Sequence, residues 1–199
     1  MIIAIEGIDG AGKNTLVTAI REQADVPVDV LAFPRYETSV PAQLVAEALH
    51  GRMGDLTDSA YAMATLFALD RHGAREQLLP YADSERIILL DRYVASNAAY
   101  SAARLRDDAV VDWVHDLEFG RLGLPVPDLQ VLLATEPETA SSRAISRAEQ
   151  DADRERDRYE RDTGLQQRTY DAYLRLAERD WAGRWLVTTD SADILQLIR

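Results

Sequence analysis

The chain has 199 residues, a formal net charge of −12, 47% hydrophobic residues and no cysteine. That length suits one domain with room for a lid but not for a second domain. The acidic balance argues against a general nucleic-acid binder, which presents a basic face, and the absence of cysteine excludes disulfides and thiolate metal sites.

No apolar run approaches the roughly 18 residues of a membrane span; the longest, AYAMATLFAL at 60–69, reads as a core helix. The opening MIIAIEG enters a strand without a cationic, then apolar, leader, so a soluble cytoplasmic protein is expected.

Short runs rich in β-branched residues lie at 2–5, 28–33, 86–90, 129–134 and 185–189. Between them, stretches of helical spacing lie at about 13–23, 40–50, 57–79, 94–104, 108–120, 137–149, 155–179 and 191–198. This alternation predicts βαβ units and a parallel sheet. In such sheets ligands bind beyond the carboxyl ends of the strands. The segments that follow the strands are therefore the ones to read for chemistry.

After the first strand comes GIDGAGKNT at 7–15. Gly7, Gly12 and Lys13 fall on the phosphate-loop pattern G-x-x-x-x-G-K, whose backbone N–H groups cradle phosphates at a helix start. The pattern continues with a hydroxyl residue that holds magnesium, but here Asn14 follows the lysine and the hydroxyl arrives at Thr15. A bare strand–helix turn would explain one or two glycines. It would not explain why Lys13 is the single lysine among 22 basic residues, all the others being arginine. The run IILLD at 87–91 supplies a second signature, an apolar strand delivering Asp91 toward a metal. With Asn14 a poorer magnesium ligand than a hydroxyl, the metal is expected to rely on carboxylates, Asp9 and Asp91 being nearest in sequence.

Three further constellations have both functional and ordinary readings. Phe67 and Arg71 share a helical face at i,i+4; they would stack and read a nucleobase, or Phe67 would join the core with Met63 and Leu66 while Arg71 reaches to solvent. Tyr93, Asn97 and Tyr100 form a stripe, and an amide facing a pocket offers both donor and acceptor to a base, although a cap or a solvated surface is the commoner fate of an Asn. The segment 143–162 holds six arginines among seven acids, a pattern usual for a salt-bridged exposed helix. Against that, Arg143 and Arg147 are like charges at i,i+4, and QDAD at 150–153 reads as a break between two helical arms, as in an arginine-bearing lid.

Together IEGIDGAGKNT, FPRY (33–36), LFALDR (66–71), DRYVASNAAYSAA (91–103) and YERD…QQRT (159–169) resemble the thymidylate kinases, particularly the actinobacterial form. The resemblance implies an α/β P-loop NTPase fold, a five-stranded parallel sheet flanked by helices, with an arginine-rich lid at about 141–153, in a homodimer. It implies transfer of the ATP γ-phosphate to dTMP with Mg²⁺, giving dTDP and ADP, with no nucleic-acid or membrane partner. ATP would lie on Gly7, Ile8, Asp9, Gly10, Ala11, Gly12, Lys13 and Asn14. For dTMP, Phe67 would stack on thymine, Arg71 and Asn97 would read its edge, and Tyr100 would crowd the 2′ position. Arg92 would bind the dTMP phosphate with Tyr36, and Phe33 would line the pocket. Asp9 would meet the 3′-hydroxyl and, with Glu160, the metal; Lys13, Arg92 and Arg147 would stabilise the transferring phosphoryl group. Gln150 stands where some relatives place another arginine.

The nearest enzyme alternative is another small P-loop deoxynucleoside or nucleoside-monophosphate kinase. A GTPase switch would need an N-K-x-D motif, and there is no lysine after residue 13.

Overall fold

The computed structural model describes residues 1–150 and 157–198, with the side chains of 147–150 outside that description. Five parallel strands form one sheet: β1 (Ile2–Glu6), β2 (Val28–Ala32), β3 (Ile87–Asp91), β4 (Leu129–Leu133) and β5 (Trp185–Thr188), in spatial order β2-β3-β1-β4-β5. Every residue of β1 and β4 is buried, whereas the edge strands β2 and β5 are largely half-buried or exposed. This is why the central strands read as mostly apolar runs, broken only by buried Gln130 in β4 and the terminal Glu6 and Asp91: helices cover both faces. Fully buried Ile2, Ile3 and Ile5 each contribute roughly 2–3 kcal/mol of apolar burial.

The helices are α1 (Lys13–Gln23), α2 (Val40–Leu49), α3 (Ala60–Gly73), α4 (Arg75–Leu78), α5 (Val94–Leu105), α6 (Val110–His115), α7 (Pro137–Gln150), α8 (Arg158–Arg161), α9 (Thr163–Glu178) and α10 (Ser191–Leu195). All five strands fall within a residue or so of the sequence expectation, and the helices α1, α2, α5 and α7 agree as closely.

Four helical expectations are corrected. The helix expected at 57–79 is a short 3-10 turn followed by α3, α4 and a second 3-10 turn. Ser59 caps α3 by accepting a hydrogen bond from Ala62 N (3.1 Å), and the chain re-aims after Gly73. The helix expected at 108–120 is α6 running into a π-helical turn at Asp116–Arg121, closed by Leu122 N on Leu117 O (2.9 Å). The stretch expected at 155–179 is divided, within its described part, at Asp162, whose Oδ1 caps α9 by accepting from Leu165 N (2.8 Å). The expected C-terminal helix ends at Leu195 rather than 198. Of the break expected at QDAD, only the backbone of Gln150, the last residue of α7, is described; the rest lies outside the described residues.

Because the sheet order turns back at β1, its carboxyl end opens between β3 and β4, the place where such sheets bind ligands. The glycine loop and the DRY segment both leave the sheet there.

Candidate active site

The loop after β1 is shaped by glycines that no other residue could replace without strain. Gly10 has φ +82°, and a Cβ there would lie 2.1 Å from Ala140 O on α7. Gly12, at φ 101°, is the residue from which α1 starts. Ile8 and Ala11 are buried and turn their side chains into the core, so their contribution to the loop is main chain. The start of α1 thus points its free N–H groups into a trough lined by Gly10, Gly12, Asn14 and Thr15. Asn14 and Thr15 are both exposed to that trough.

Lys13 is buried, with Nζ donating to Gly7 O (3.1 Å) and Ile8 O (2.9 Å). Burial and the neighbouring Arg92 bring its ammonium down to about 8, against the pull of Asp9, Asp91 and Glu6. Arg143, on α7, reaches the same loop, donating from Nη1 to Ala11 O (3.4 Å). Sequence reasoning assigned the phosphate-facing arginine to Arg147. The side chain of Arg147 lies outside the described residues, and Arg143, one turn earlier, is the α7 arginine seen at the trough.

Beside the trough lies a second cavity, walled by α3 and α5, with about 650 Å³ of space including its open mouth. Phe33, Tyr36, Phe67, Arg71, Arg92, Asn97, Tyr100 and Asp9 all line it, so the expected acceptor residues converge from four separate segments. Phe67 satisfies both of its readings: one side faces the cavity, while the ring packs on the small core cluster containing Met63. Arg71 does not reach to solvent; it is 2% exposed. Its Nε and Nη2 grip the Glu118 carboxylate at 2.5 and 2.7 Å.

Arg92 adopts the left-handed backbone region, φ 67°, a conformation that costs a non-glycine residue about 1 kcal/mol or more. It is held there by Arg92 N donating to Ile5 O (3.0 Å) and Tyr93 N donating to Glu6 Oε1 (2.9 Å). The side chain donates to Gly7 O (3.0 Å) and Ser96 Oγ (3.3 Å) and ion-pairs with Asp9. Glu6 is itself fully buried, accepting from Ser96 Oγ (2.5 Å) and Tyr173 OH (2.9 Å). Burial pushes the Glu6 carboxyl up, and these hydrogen bonds with nearby Arg92 oppose the rise.

Asp9 also accepts from Tyr100 OH (2.7 Å) and Gln166 Nε2 (3.0 Å). Burial alone would raise its pKa, but Arg92, Lys13 and these two hydrogen bonds hold it down to about 2. Glu160, at the start of the segment leading to α9, faces the trough with Asp9 and Asp91. These are hard oxygen donors, the type magnesium takes. Among the described residues, however, no three acidic or histidine side chains stand close enough together to hold a metal by themselves.

Several site residues carried no assigned role in the sequence reading. Glu118 lies on the same helical face as buried Val110, Val111 and Val114, a placement that by itself flags a carboxylate directed inward. Gln166 and Tyr159 sat unassigned within the quoted YERD…QQRT segment. The Tyr159 ring stacks on Tyr100 (5.9 Å, 15°), and its buried hydroxyl has no hydrogen-bond partner among the described residues.

This architecture can be compared with known proteins. A model of the family described as thymidylate kinase matches residues 5–196. The thymidylate kinases of two Mycobacterium tuberculosis strains, CDC 1551 and H37Rv, are each 55% identical over 199 residues, covering 97% of this chain and 93% of theirs. A probable thymidylate kinase of Archaeoglobus fulgidus is 33% identical, covering 74% of this chain and 70% of its own. The solved structure of the Candida albicans thymidylate kinase shares the fold, with a TM-score of 0.72 at 22% identity over 99% of this chain and 88% of that one. Matched from β1 to α10 and by more than half of its residues, the chain belongs to the thymidylate kinase family.

Proposed function

We propose that this kinase phosphorylates dTMP to dTDP, in dTTP synthesis, by holding ATP along the glycine loop and dTMP in the adjoining cavity. The observation that carries this assignment of sites is the shared wall: Asp9, Phe33 and Arg92 line both the trough and the cavity. A donor phosphate on one side and an acceptor phosphate on the other would meet beside Asp9 and Arg92.

Phosphoryl transfer asks little covalent chemistry of a protein. It asks for in-line positioning and for neutralisation of charge spread over the phosphate oxygens. Lys13 and the N–H groups opening α1 take the ATP phosphates. Arg92 takes the dTMP phosphate with Tyr36 beside it, and an α7 arginine, Arg143 or Arg147, covers the transferring group. The acceptor is already ionised, so no general base is needed. Phe67 stacks on the base, Arg71 and Asn97 read its edge, and Tyr100 closes the space a 2′-hydroxyl would occupy.

Asp9 and Glu160 are the residues that would hold Mg²⁺, with phosphate oxygens and water completing its shell. When bound, the metal supplies positive charge that draws the phosphate oxygens together and offsets their repulsion.

The enzyme works in the cytoplasm as a homodimer. No described helix is long and apolar enough to cross a membrane. The outer face of α3 leaves Tyr61 and Leu69 exposed by 47% and 41%, two turns apart, an apolar stripe suited to a second copy.

The test is ADP release with dTMP, dUMP, dCMP and thymidine as acceptors under saturating ATP and magnesium. Highest kcat/KM for dTMP is expected. A preference for thymidine over dTMP would overturn the placement of an acceptor phosphate at Arg92.

A further inference from the structure

The two residues assigned to the base edge are tied to each other from behind by one carboxylate that does not line the cavity. Glu118 is fully buried on the π-helical turn after α6. Its Oε2 accepts from Arg71 Nε at 2.5 Å, and its Oε1 accepts from both Arg71 Nη2 and Asn97 Nδ2, each at 2.7 Å. The other hydrogen of Asn97 Nδ2 goes to Ala64 O at 3.0 Å.

An amide has a donating end and an accepting end, and its environment decides which faces where. Both groups behind Asn97, a carboxylate salt-bridged to Arg71 and a backbone carbonyl, offer acceptors. The NH₂ must face them, because the flipped amide would set its oxygen against two acceptors. Asn97 Oδ1 is therefore left as the cavity-facing atom. The same carboxylate occupies Nε and one hydrogen of Nη2 of Arg71, leaving Nη1 and the other Nη2 hydrogen without a partner among the described residues, at the cavity wall.

We infer that Glu118 is a specificity-positioning residue: by orienting the Asn97 amide and the Arg71 fork together, it presents an acceptor beside a donor. That edge is complementary to an imide, a ring N–H next to a carbonyl, as in a 2,4-dioxopyrimidine. A 4-aminopyrimidine offers the opposite polarity at both positions, an acceptor ring nitrogen next to an amino donor. It would leave buried polar groups opposed rather than paired, the kind of mismatch that sites reject strongly.

This inference rests on the placement of the nucleobase against Arg71 and Asn97 given above. Its test is the ratio of kcat/KM for dTMP to that for dCMP, in wild type, Glu118→Gln, Asn97→Ala and the double variant, each checked for cooperative melting. In Glu118→Gln one side of the former carboxylate becomes a donor, which frees the Asn97 amide to turn. The ratio is expected to fall by about tenfold or more, mostly through a higher KM for dTMP and a lower one for dCMP, with kcat changing less. A merely structural role would lower both substrates together and leave the ratio where it was.

In the Asn97→Ala background the further change should be clearly smaller, because only the Arg71 fork is left to orient. An unchanged ratio in folded Glu118→Gln, or an equal fall with and without Asn97, would overturn the inference. If Glu118→Gln does not melt cooperatively, Glu118→Asp is measured in its place; it keeps the charge but retracts it from both partners, and the same fall in ratio is expected and the same constancy overturns. A wild-type enzyme with no preference for dTMP over dCMP would instead overturn the placement of the base, a failure visible before any variant is made.

Discussion

Asp9 and Arg92 are ion-paired at the seam where the cavity walled by α3 and α5 meets the trough at the glycine loop, and both line each of the two. On the proposed placement of ATP and dTMP, Asp9 is the carboxylate that would hold a metal between donor and acceptor, whereas Asn14 faces the trough alone. Asn14→Ser should change turnover only a few-fold, within about 1 kcal/mol of barrier. Asp9→Asn should raise the magnesium midpoint and the KM for dTMP, with turnover lower by at least about tenfold. A magnesium titration of initial rate at saturating ATP checks both. A large midpoint shift in Asn14→Ser with none in Asp9→Asn would place the metal at the loop instead.

Lys13 is the one lysine, buried against the loop it would share with phosphate. Lys13→Ala should retain the fold and lose on the order of 10³ in turnover. The depressed ammonium gives a second expectation. Its charge is complete below about 8 and disappears as pH rises through that value, so kcat/KM for ATP should fall by about tenfold per pH unit on the alkaline side. Because kcat reports the nucleotide complex, where bound phosphates favour the charged lysine, its alkaline limb should lie at higher pH. Lys13→Arg, slower but permanently charged, should lack the limb. A persistent limb in that variant would assign it to another group.

Tyr100 has two separable parts. Its ring forms a wall against Tyr159 and under the Arg92 guanidinium (5.5 Å), while its hydroxyl donates to Asp9. Tyr100→Phe should keep discrimination against the ribonucleotide, since bulk does the excluding, yet shift the magnesium midpoint, since Asp9 loses one of its donors while keeping Arg92 and Gln166. Tyr100→Ala should relax the discrimination itself. Comparing dTMP with its ribose counterpart as acceptors measures this; equal discrimination in wild type and Tyr100→Ala would remove the ring from the sugar site.

The loop glycines should differ in their tolerance. Gly10→Ala combines a left-handed backbone with a Cβ 2.1 Å from Ala140 O, and neither the main chain of α7 nor that of the loop can yield cheaply. It should destabilise by on the order of 2 kcal/mol or more and abolish tight ATP binding. Gly12→Ala carries the backbone strain, but its Cβ would meet only side-chain atoms, the Arg143 Nη1 at 3.6 Å and Leu133 Cδ2 at 3.8 Å. Its loss should be smaller. Thermal melts with and without ATP would rank the two, and the reverse order would contradict the loop geometry.

Local sequence was enough for the strands, the glycine loop and the starts of α1 and α5. Their signals are short-range: β-branched apolar runs, glycines where φ is positive, and a lysine at a set spacing from them. The ends and interruptions of helices were less legible, because Ser59 and Asp162 as caps and the π turn at Asp116–Arg121 compete only slightly with continued helix until packing chooses. Helical spacing put Phe67 beside Arg71 and Asn97 beside Tyr100 but left both pairs with ordinary readings; their convergence on one cavity was implied by the family resemblance. What spacing could not supply was the identity of partners distant in the chain. Glu118 meets Arg71 across 47 residues and Gln166 meets Asp9 across 157. Each is one polar group among many of its type in sequence. Only the tertiary fold, by removing water from around Arg71 and Asp9, makes a particular partner obligatory.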